Sequence, residues 1–251
     1  MTDAVGQGDA HKRVAWIAGV GASAGLGAAL ARRFAREGFS VAVTGRSRER
    51  LDALVDEIRG TGGHARAFPG DVTSESDLIA IARQLAETGT LEAAIFNAAG
   101  GIRLPTLELT AEQFEAAWRV TTLGGFLFAR AALPALLAAG RGSLLFTGAT
   151  ASLRGRPPFA AFASAKAALR SLAQSLAREF GPKNIHVAHV VIDGGIDGER
   201  LRTSAPQRVA ESGADGLLNP DDIAEAYWHL HQQRRSAWSQ EIDLRPFSES
   251  F

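Results

Sequence analysis

A glycine-rich segment follows the first apolar run of the chain and opens a stretch with helical periodicity. It reads Gly19-Val20-Gly21-Ala22-Ser23-Ala24-Gly25-Leu26-Gly27. Glycines let the backbone turn tightly and approach a pyrophosphate, which then lies against the N-terminus of the following helix. A tight strand-to-helix turn needs similar residues without any ligand, so this segment alone is weak evidence. It indicates a dinucleotide site that later positions must support.

A basic residue stands where the second predicted strand ends. The segment there reads Val43-Thr44-Gly45-Arg46-Ser47 and contains no carboxylate. An acid at this position bonds the ribose 2′-hydroxyl of NAD, whereas an arginine accommodates the 2′-phosphate of NADP through charge-assisted hydrogen bonds. Arg46 could instead be a solvated member of a basic run with Arg48 and Arg50. The pattern favours NADP(H), and NADPH over NADH.

Three segments together resemble the pattern of the short-chain dehydrogenase/reductase family. They are Gly21-x-x-x-Gly25-x-Gly27, Asp71-Val72 after the third strand and Asn97-Ala98-Ala99-Gly100 after the fourth. Each segment is weak evidence alone, and their order and spacing make the combination specific. The resemblance covers about residues 12–245. It implies a homodimer or homotetramer built on two long helices, Ala111–Ala139 and Phe159–Phe180.

The resemblance also implies where the cofactor lies. Asp71 and Val72 would hold the adenine, and Lys166 would meet the nicotinamide ribose. After the sixth strand, Gly194 and Ile196 stand where the family approaches the carboxamide, although Asp193 replaces a proline and Gly198 a threonine. The predicted cofactor-binding residues are Gly21, Ser23, Ala24, Gly25, Leu26, Gly27, Arg46, Asp71, Val72, Asn97, Ala98, Ala99, Lys166, Gly194 and Ile196.

The residues that carry proton transfer in this family are mostly replaced. The family tetrad is Asn, Ser, Tyr and Lys, the last two spaced Tyr-x-x-x-Lys. Residues four apart share a helix face, so Phe162 and Lys166 should point into one site. Lys166 is retained, while Phe162 takes the place of the tyrosine, Ala149 that of the serine and Thr121 that of the asparagine.

These replacements bear directly on catalysis. Carbonyl reduction places negative charge on oxygen as hydride arrives, and a phenyl ring has no proton to donate. The loss of one acid–base group typically costs about 10²–10⁴ in rate, and the missing serine removes a second donor to the oxyanion. Thr150 and Ser152 are weak substitutes, because hydroxyls in such loops more often serve as caps. Lys166 could donate if its pKa were depressed, and the single tyrosine, Tyr227, is predicted to be packed.

No metal site is predicted. His186 and His189 lie in an apolar strand, where residues three apart point to opposite faces. His229 and His231 lie two apart on a helix and do not face each other. The chain has no cysteine, which also excludes disulfides and thiolate nucleophiles.

The segment 195–218 corresponds to the mobile substrate loop of the family. It carries Arg200, Arg202 and Arg208 among small residues. These arginines could bind an anionic substrate, but a solvated basic loop is the favoured interpretation.

Short apolar runs alternate with longer segments of helical period. The predicted strands are Val14–Val20, Ser40–Thr44, His64–Pro69, Ala93–Asn97, Gly142–Thr147, Ile185–Ile192 and Gln240–Leu244. The predicted helices are Gly25–Gly38, Ser47–Arg59, Ser74–Thr88, Ala111–Ala139 with a bend near Gly124, Phe159–Phe180 and Pro220–Gln232. This order predicts an α/β fold, a single Rossmann-type doubly wound parallel sheet of about seven strands with helices on both faces. Ligands then bind beyond the carboxyl ends of the strands.

Composition limits the partners and the compartment. Lys plus Arg equals Asp plus Glu at 27 each, which argues against nucleic acid and anionic membranes. The first ten residues lack the layout of a signal peptide, and the apolar stretch Gly124–Gly140 carries Arg130 and Pro134 and is too short to span a bilayer. We expect a soluble cytoplasmic protein, with a disordered segment over residues 1–10 and one domain over residues 11–251.

Two functions stay open at this point. One is an NADP(H)-dependent oxidoreductase with a modified site, acting on a small molecule that the sequence does not identify. The other is a nucleotide-binding homologue without turnover, acting as a sensor or as a partner subunit. The altered tetrad favours the second function, and the prevalence of enzymes on this scaffold favours the first, although fold does not imply function. The balance leans slightly to the oxidoreductase.

Overall fold

A twisted parallel sheet forms the centre of the computed structural model, which describes residues 12–249. Within that range the sheet has seven strands in the order β3-β2-β1-β4-β5-β6-β7. They are β1 (Arg13–Ala18), β2 (Ser40–Gly45), β3 (His64–Pro69), β4 (Thr90–Phe96), β5 (Gly142–Thr147), β6 (Ile185–Ile192) and β7 (Glu241–Leu244). The strand order reverses between β1 and β4, the point at which doubly wound sheets bind ligands. The predicted fold class is confirmed, while the predicted disordered residues 1–10 lie outside the described residues.

Helices cover both faces of the sheet. They are α1 (Leu26–Arg36), α2 (Arg48–Gly60), α3 (Glu75–Ala86), α4 (Ala111–Trp118), α5 (Gly124–Ala139), α6 (Ala160–Phe180), α7 (Glu199–Ser204), α8 (Pro206–Glu211) and α9 (Pro220–Gln232). Buried apolar side chains of α1, α2 and α9 form one core with the sheet, and those of α3, α5 and α6 form the other.

Alternation along β1 shows how one strand serves both cores. Ile17 belongs to the core under α1, while Trp16 belongs to the opposite core, because successive strand residues point to opposite faces. The Trp16 ring packs 4.6 Å from the Phe128 ring of α5, centroid to centroid. Its indole N–H donates to Thr44 Oγ1 at 2.9 Å, so the one polar atom of this buried side chain is satisfied.

The structure departs from the predicted elements at three places. The long helix is interrupted by a π-helical turn at Arg119–Leu123, just before the predicted bend. Strand β4 begins three residues earlier than predicted, at Thr90. The charged Glu92 concealed the start of this strand in the sequence, and in the structure it is buried and pairs with Arg141 at 2.7 Å. The predicted loop 195–218 contains α7 and α8, which are too short for a clear periodic signal.

One stretch of the described residues, Ala111–Ala139, is long and apolar enough to cross a membrane by length and composition. The core helix of a soluble protein meets the same two criteria. The α5 part of this stretch contributes nine buried residues and packs against α3 and β4.

Candidate cofactor and active site

A cavity of about 620 Å³ opens at the carboxyl ends of the strands. Loops after β1 to β6 form its walls, together with residues of α6, α7 and α8. It brings together most of the residues singled out in the sequence: Gly21, Gly25, Leu26, Gly27, Arg46, Asp71, Val72, Asn97, Ala98, Ala99, Ala149, Thr150, Phe162, Lys166, Gly194 and Ile196. Four further predicted positions, Ser23, Ala24, Thr121 and Ser152, are not part of its lining.

The glycine-rich loop packs tightly against the loop after β4. Gly19 has a φ of 89°, and a Cβ at this position would overlap the backbone of Ala98. Asn97 Nδ2 donates to the Gly19 carbonyl at 3.1 Å. The backbone N–H groups of Gly19 and Val20 both donate to the Thr44 carbonyl at 3.0 Å. These bonds fix the loop in the turned conformation that exposes the start of α1.

The N-terminus of α1 has no capping side chain. Its N-cap is Gly25, without a side-chain hydrogen bond and without an acid in the first turn, whereas Ser47 and Ser74 cap α2 and α3. The first N–H groups of a helix lack internal partners and lie at the positive end of its dipole. A Cβ at Gly21 would meet no atom within 4 Å, so the loop is open to a ligand here. This geometry fits the pyrophosphate of a dinucleotide.

Ser23 and Ala24, two predicted cofactor contacts outside the cavity lining, make contacts within the protein. Ser23 Oγ accepts a hydrogen bond from Arg32 Nη2 at 2.6 Å and lies 3.4 Å from a Glu57 carboxylate oxygen. The hydroxyl therefore joins α1 to α2. A Cβ at Gly198 would come within 2.7 Å of the Ala24 carbonyl, so Ala24 packs against the segment before α7.

The opposite end of the cavity carries Arg46 and Asp71. Arg46 is exposed at the end of β2 and lines the cavity. Asp71 Oδ1 accepts hydrogen bonds from the backbone N–H of Thr73 at 2.8 Å and from its hydroxyl at 2.9 Å. The side chain of Asp71 thus shapes the loop after β3, and its neighbour Val72 contributes an apolar surface.

Lys166 is the buried cation of the site. Its side chain is 2% exposed, and Nζ donates to the Thr147 carbonyl at 2.6 Å. Burial, and then the positive charge of Arg200, lower the pKa of Lys166 to about 7. Nζ lies 5.8 Å from the centroid of the Phe162 ring, which is half-buried and lines the same cavity. Charged and neutral forms of this lysine therefore coexist near neutral pH.

The hydroxyl groups near the tetrad positions are engaged elsewhere. Thr121 is fully buried, and its Oγ1 accepts the backbone N–H of Gly100 at 3.0 Å. Ser152 Oγ accepts the backbone N–H of Ala149 at 3.1 Å and caps the loop. The Thr150 hydroxyl faces the cavity but donates to the Asp193 carboxylate. Thr121 and Ser152 lie outside the cavity lining, and the Thr150 proton is donated to Asp193.

Tyr227 also stays out of the site. It is fully buried on α9, where its hydroxyl is paired with Thr147 Oγ1 at 2.7 Å, and burial raises its pKa. The prediction that it is packed agrees with this placement.

The two strand histidines have separate surroundings, as predicted from their spacing. His186 stacks on Trp238 with ring centroids 4.8 Å apart. His189 is fully buried and pairs through Nδ1 with Glu241 at 2.9 Å, and burial lowers its pKa to about 4. Within residues 12–249, no group of three or more His, Asp or Glu side chains is arranged to hold a metal ion.

The comparisons with known proteins agree with the geometry. The family model for short chain dehydrogenases matches residues 15–209. The chain belongs to the short-chain dehydrogenase/reductase family. A crystal structure of a short-chain dehydrogenase from Rhodopseudomonas palustris is 39% identical, with a TM-score of 0.78 over 94% of this chain and 99% of that one.

Two further relatives are informative. A metagenomic short-chain oxidoreductase solved in complex with NADP is 28% identical, with a TM-score of 0.79 over 93% of this chain and 96% of that one. An oxidoreductase of Sarocladium schorii is 34% identical over 168 residues, which are 66% of this chain and 66% of that protein. The predicted membership of an oxidoreductase family that binds nicotinamide cofactors is confirmed.

Several residues of the cavity wall were not predicted from the sequence. Arg154, Arg156 and Phe159 lie in the loop between β5 and α6, and Leu201 and Ser204 lie on α7. The first three could have been found, because ligands bind beyond the carboxyl ends of the strands. The α7 residues carry no such signal, since their position depends on how the segment after β6 folds back over the cavity.

Proposed function

We propose that the chain is an NADP(H)-dependent oxidoreductase in which Lys166 takes over the proton transfer that the missing tyrosine would perform. One observation carries the proposal. Lys166 is a buried amine at the cavity wall whose pKa of about 7 lies near the pH at which a general acid works best.

The choice of cofactor rests on the residues present. The uncapped start of α1 suits a pyrophosphate, and Arg46 stands at the end of β2 with no acid beside it in the segment Gly45 to Ser47. A guanidinium pairs with a 2′-phosphate, whereas a carboxylate there would repel it. The metagenomic relative solved with NADP lends support from within the family. When bound, NADPH would supply the hydride.

Lys166 performs the proton step in this proposal. One N–H of the ammonium group is held by the Thr147 carbonyl, which leaves two protons for other partners. As a new C–H bond forms at the carbonyl carbon, the C=O π bond breaks and its electron pair takes a proton from Nζ, giving an alcohol and a neutral amine. Burial stabilises the neutral amine, which is reprotonated from solvent. Because the ammonium form donates, the rate of reduction should fall as pH rises through about 7.

The neighbouring groups support this assignment by elimination. Thr150 already donates to Asp193, and Tyr227 is bonded to Thr147 away from the cavity. Phe162 supplies only an apolar wall beside the amine. Among these four side chains, Lys166 is the one with protons left for a substrate.

The test is deuteride transfer in a single turnover. Protein saturated with NADPH that carries deuterium at the transferring position is mixed with aldehydes, ketones and imines, and deuterated product is measured by mass spectrometry. Wild type should transfer deuterium slowly, and Lys166→Met should be slower by about 10²-fold or more. Lys183→Met is the matched control, because Lys183 lies after α6 with its amine over the Phe180 ring, away from the cavity.

Two outcomes contradict the proposal. Equal rates for wild type and Lys166→Met would assign the proton step to another group. Tight NADPH binding with no transfer to any acceptor would favour the second function, a nucleotide-binding protein without turnover.

We further propose a homodimer or homotetramer that is cytoplasmic and acts on a small molecule, without nucleic-acid or membrane partners. Exposed aromatic side chains of the α4–α5 region support an interface between copies. Phe114 and Trp118, four apart on α4, are each 39% exposed, and Phe126 on α5 is 41% exposed. Contiguous exposed apolar surface marks interaction sites. The balanced charge of the chain speaks against a polyanionic partner.

A further inference from the structure

Arginine side chains are concentrated around the part of the cavity that contains Lys166. Arg154 and Arg156 come from the loop between β5 and α6, while Arg200 lies on α7 and Arg208 on α8. All four line the cavity. They approach it from two separate segments, so the positive charge does not arise from a single basic run.

Arg200 is the arginine whose charge acts on Lys166. Its guanidinium packs against the backbone of Gly101 in the loop after β4, where a Cβ would overlap Nη2. Its charge contributes to the lowered pKa of the Lys166 amine. Arg200 therefore reaches across the cavity mouth, from α7 to the loop after β4, close to the proposed proton donor.

Among residues 12–249, the acids at the cavity have other partners or, like Glu249, form no ion pair with these arginines, apart from one longer contact between Asp193 and Arg154. Asp71 is held by Thr73 at the other end of the cavity, and Glu199 pairs with Arg50 of α2 at 3.3 Å. Asp193 lies 3.7 Å from Arg154, but it also accepts the Thr150 hydroxyl and lies 3.3 Å from Arg245.

In the part of the chain that the structure describes, three of the four arginines have no acid partner. Within residues 12–249, no carboxylate oxygen lies within 4 Å of a guanidinium nitrogen of Arg156, Arg200 or Arg208. Arg156 contacts the Phe159 ring at 5.9 Å, which accounts for part of its placement. Several guanidinium groups directed at one cavity repel each other, and an anion bound among them would offset that repulsion.

We propose that the substrate carries an anionic group, a carboxylate or a phosphate, which Arg200 and Arg208 bind at the end of the cavity beside Lys166. This inference rests on the proposed function and adds the substrate class to it. A guanidinium matches a carboxylate or phosphate with two parallel hydrogen bonds. Binding of the anionic group would place the reacting carbonyl of the substrate next to the Lys166 amine. Neutral analogues, which lack this group, would bind more weakly.

The test compares matched anionic and neutral probes by calorimetry. Benzoate and benzamide have nearly the same shape, and inorganic phosphate separates a phosphate site from a carboxylate site. Each probe is titrated into wild type, into Arg200→Gln/Arg208→Gln and into Arg202→Gln, with and without NADP⁺. Arg202 is the control because it lies on the same helix as Arg200 but pairs with Asp197 at 2.8 Å.

Benzoate or phosphate should bind wild type at least about tenfold more tightly than benzamide. The double variant should lose that preference to within about twofold, and Arg202→Gln should keep it. The single variants Arg200→Lys and Arg208→Lys retain the positive charge but lose the planar guanidinium. They should show an intermediate preference, and they decide the test if the double variant does not fold. Equal binding of the probes, no detectable binding of any of them, or a preference that survives in the double variant would overturn the inference.

The two proposals fail separately in this experiment. Absence of NADP⁺ binding refutes the proposed cofactor, while the benzoate preference of the nucleotide-free protein still decides the substrate class. Normal NADP⁺ binding without a benzoate or phosphate preference refutes only the substrate class.

Discussion

Restoring the missing hydroxyl groups should raise the rate of carbonyl reduction. Phe162 lines the cavity with its ring centroid 5.8 Å from Lys166 Nζ, and Ala149 lines the same wall. Phe162→Tyr adds one oxygen at the edge of a half-buried ring, so the fold should tolerate it. The new phenol lies near a partly charged amine that favours its ionised form. Ala149→Ser adds a donor to the developing oxyanion.

The magnitude follows from what each group can supply. A positioned general acid contributes about 10²–10⁴ in rate, or roughly 3–5 kcal/mol of barrier. Lys166 already supplies part of this rate enhancement, and the effects of groups that act together are not additive. We therefore expect a small gain from Phe162→Tyr alone and a gain of about tenfold or more from the double variant with Ala149→Ser.

The assay is the oxidation of NADPH by a generic aldehyde, followed by the absorbance of the reduced nicotinamide. Phe159→Tyr is the matched control, because Phe159 lines the same cavity three residues earlier and its ring lies beside Arg103 and Arg156, whereas the Phe162 ring lies beside Lys166. It should leave the rate unchanged. The reasoning is refuted if the double variant binds NADPH normally and reduces the aldehyde no faster than wild type, or if Phe159→Tyr gives the same gain.

Three further predictions follow from individual residues. NADPH should bind more tightly than NADH by calorimetry, and Arg46→Asp should reverse that order; equal affinities would remove the argument from Arg46. Gly19→Ala should lower the free energy of unfolding by about 2–5 kcal/mol in urea denaturation, because the overlap of its Cβ with Ala98 adds to the strain of a positive φ. Gly62→Ala, with a similar φ of 83° and no atom within 4 Å of its Cβ, should show only the backbone strain of about 1–2 kcal/mol, and equal losses for both would contradict the role of the overlap. Light scattering should find a dimer or tetramer in solution that Phe126→Glu weakens, and a wild-type monomer at micromolar concentration would contradict the proposed interface.

Local patterns were sufficient to predict the sheet and sixteen residues of the cavity lining. Apolar strands alternate with helical periods, and parallel strands place their carboxyl ends at one edge. Positions such as Arg46 and Asn97 could therefore be assigned to the cavity from their place after a strand. The retained spacing of Phe162 and Lys166 likewise predicted that both would face one site.

Side-chain hydrogen bonds were the part that the sequence could not supply. Ser23 belongs to the glycine-rich segment, yet its hydroxyl bonds to Arg32 of α1, where it also approaches Glu57 of α2. Thr121 stands at the asparagine position, yet its hydroxyl is held by the Gly100 amide. Such contacts join residues that are close only after folding. The depressed pKa of Lys166 depends on burial and on Arg200, which is 34 positions further along the chain.

The most direct test of the central claim is a titration of Lys166 itself. The chain has three lysines, Lys12, Lys166 and Lys183, so protein labelled with ¹³C at the lysine ε-carbon should give three resonances. Lys166→Arg identifies the one that belongs to the site. We expect that resonance to titrate near pH 7, well below the ordinary lysine value of 10.5. A Lys166 resonance that titrates near 10.5 would contradict the assignment of this amine as the proton donor.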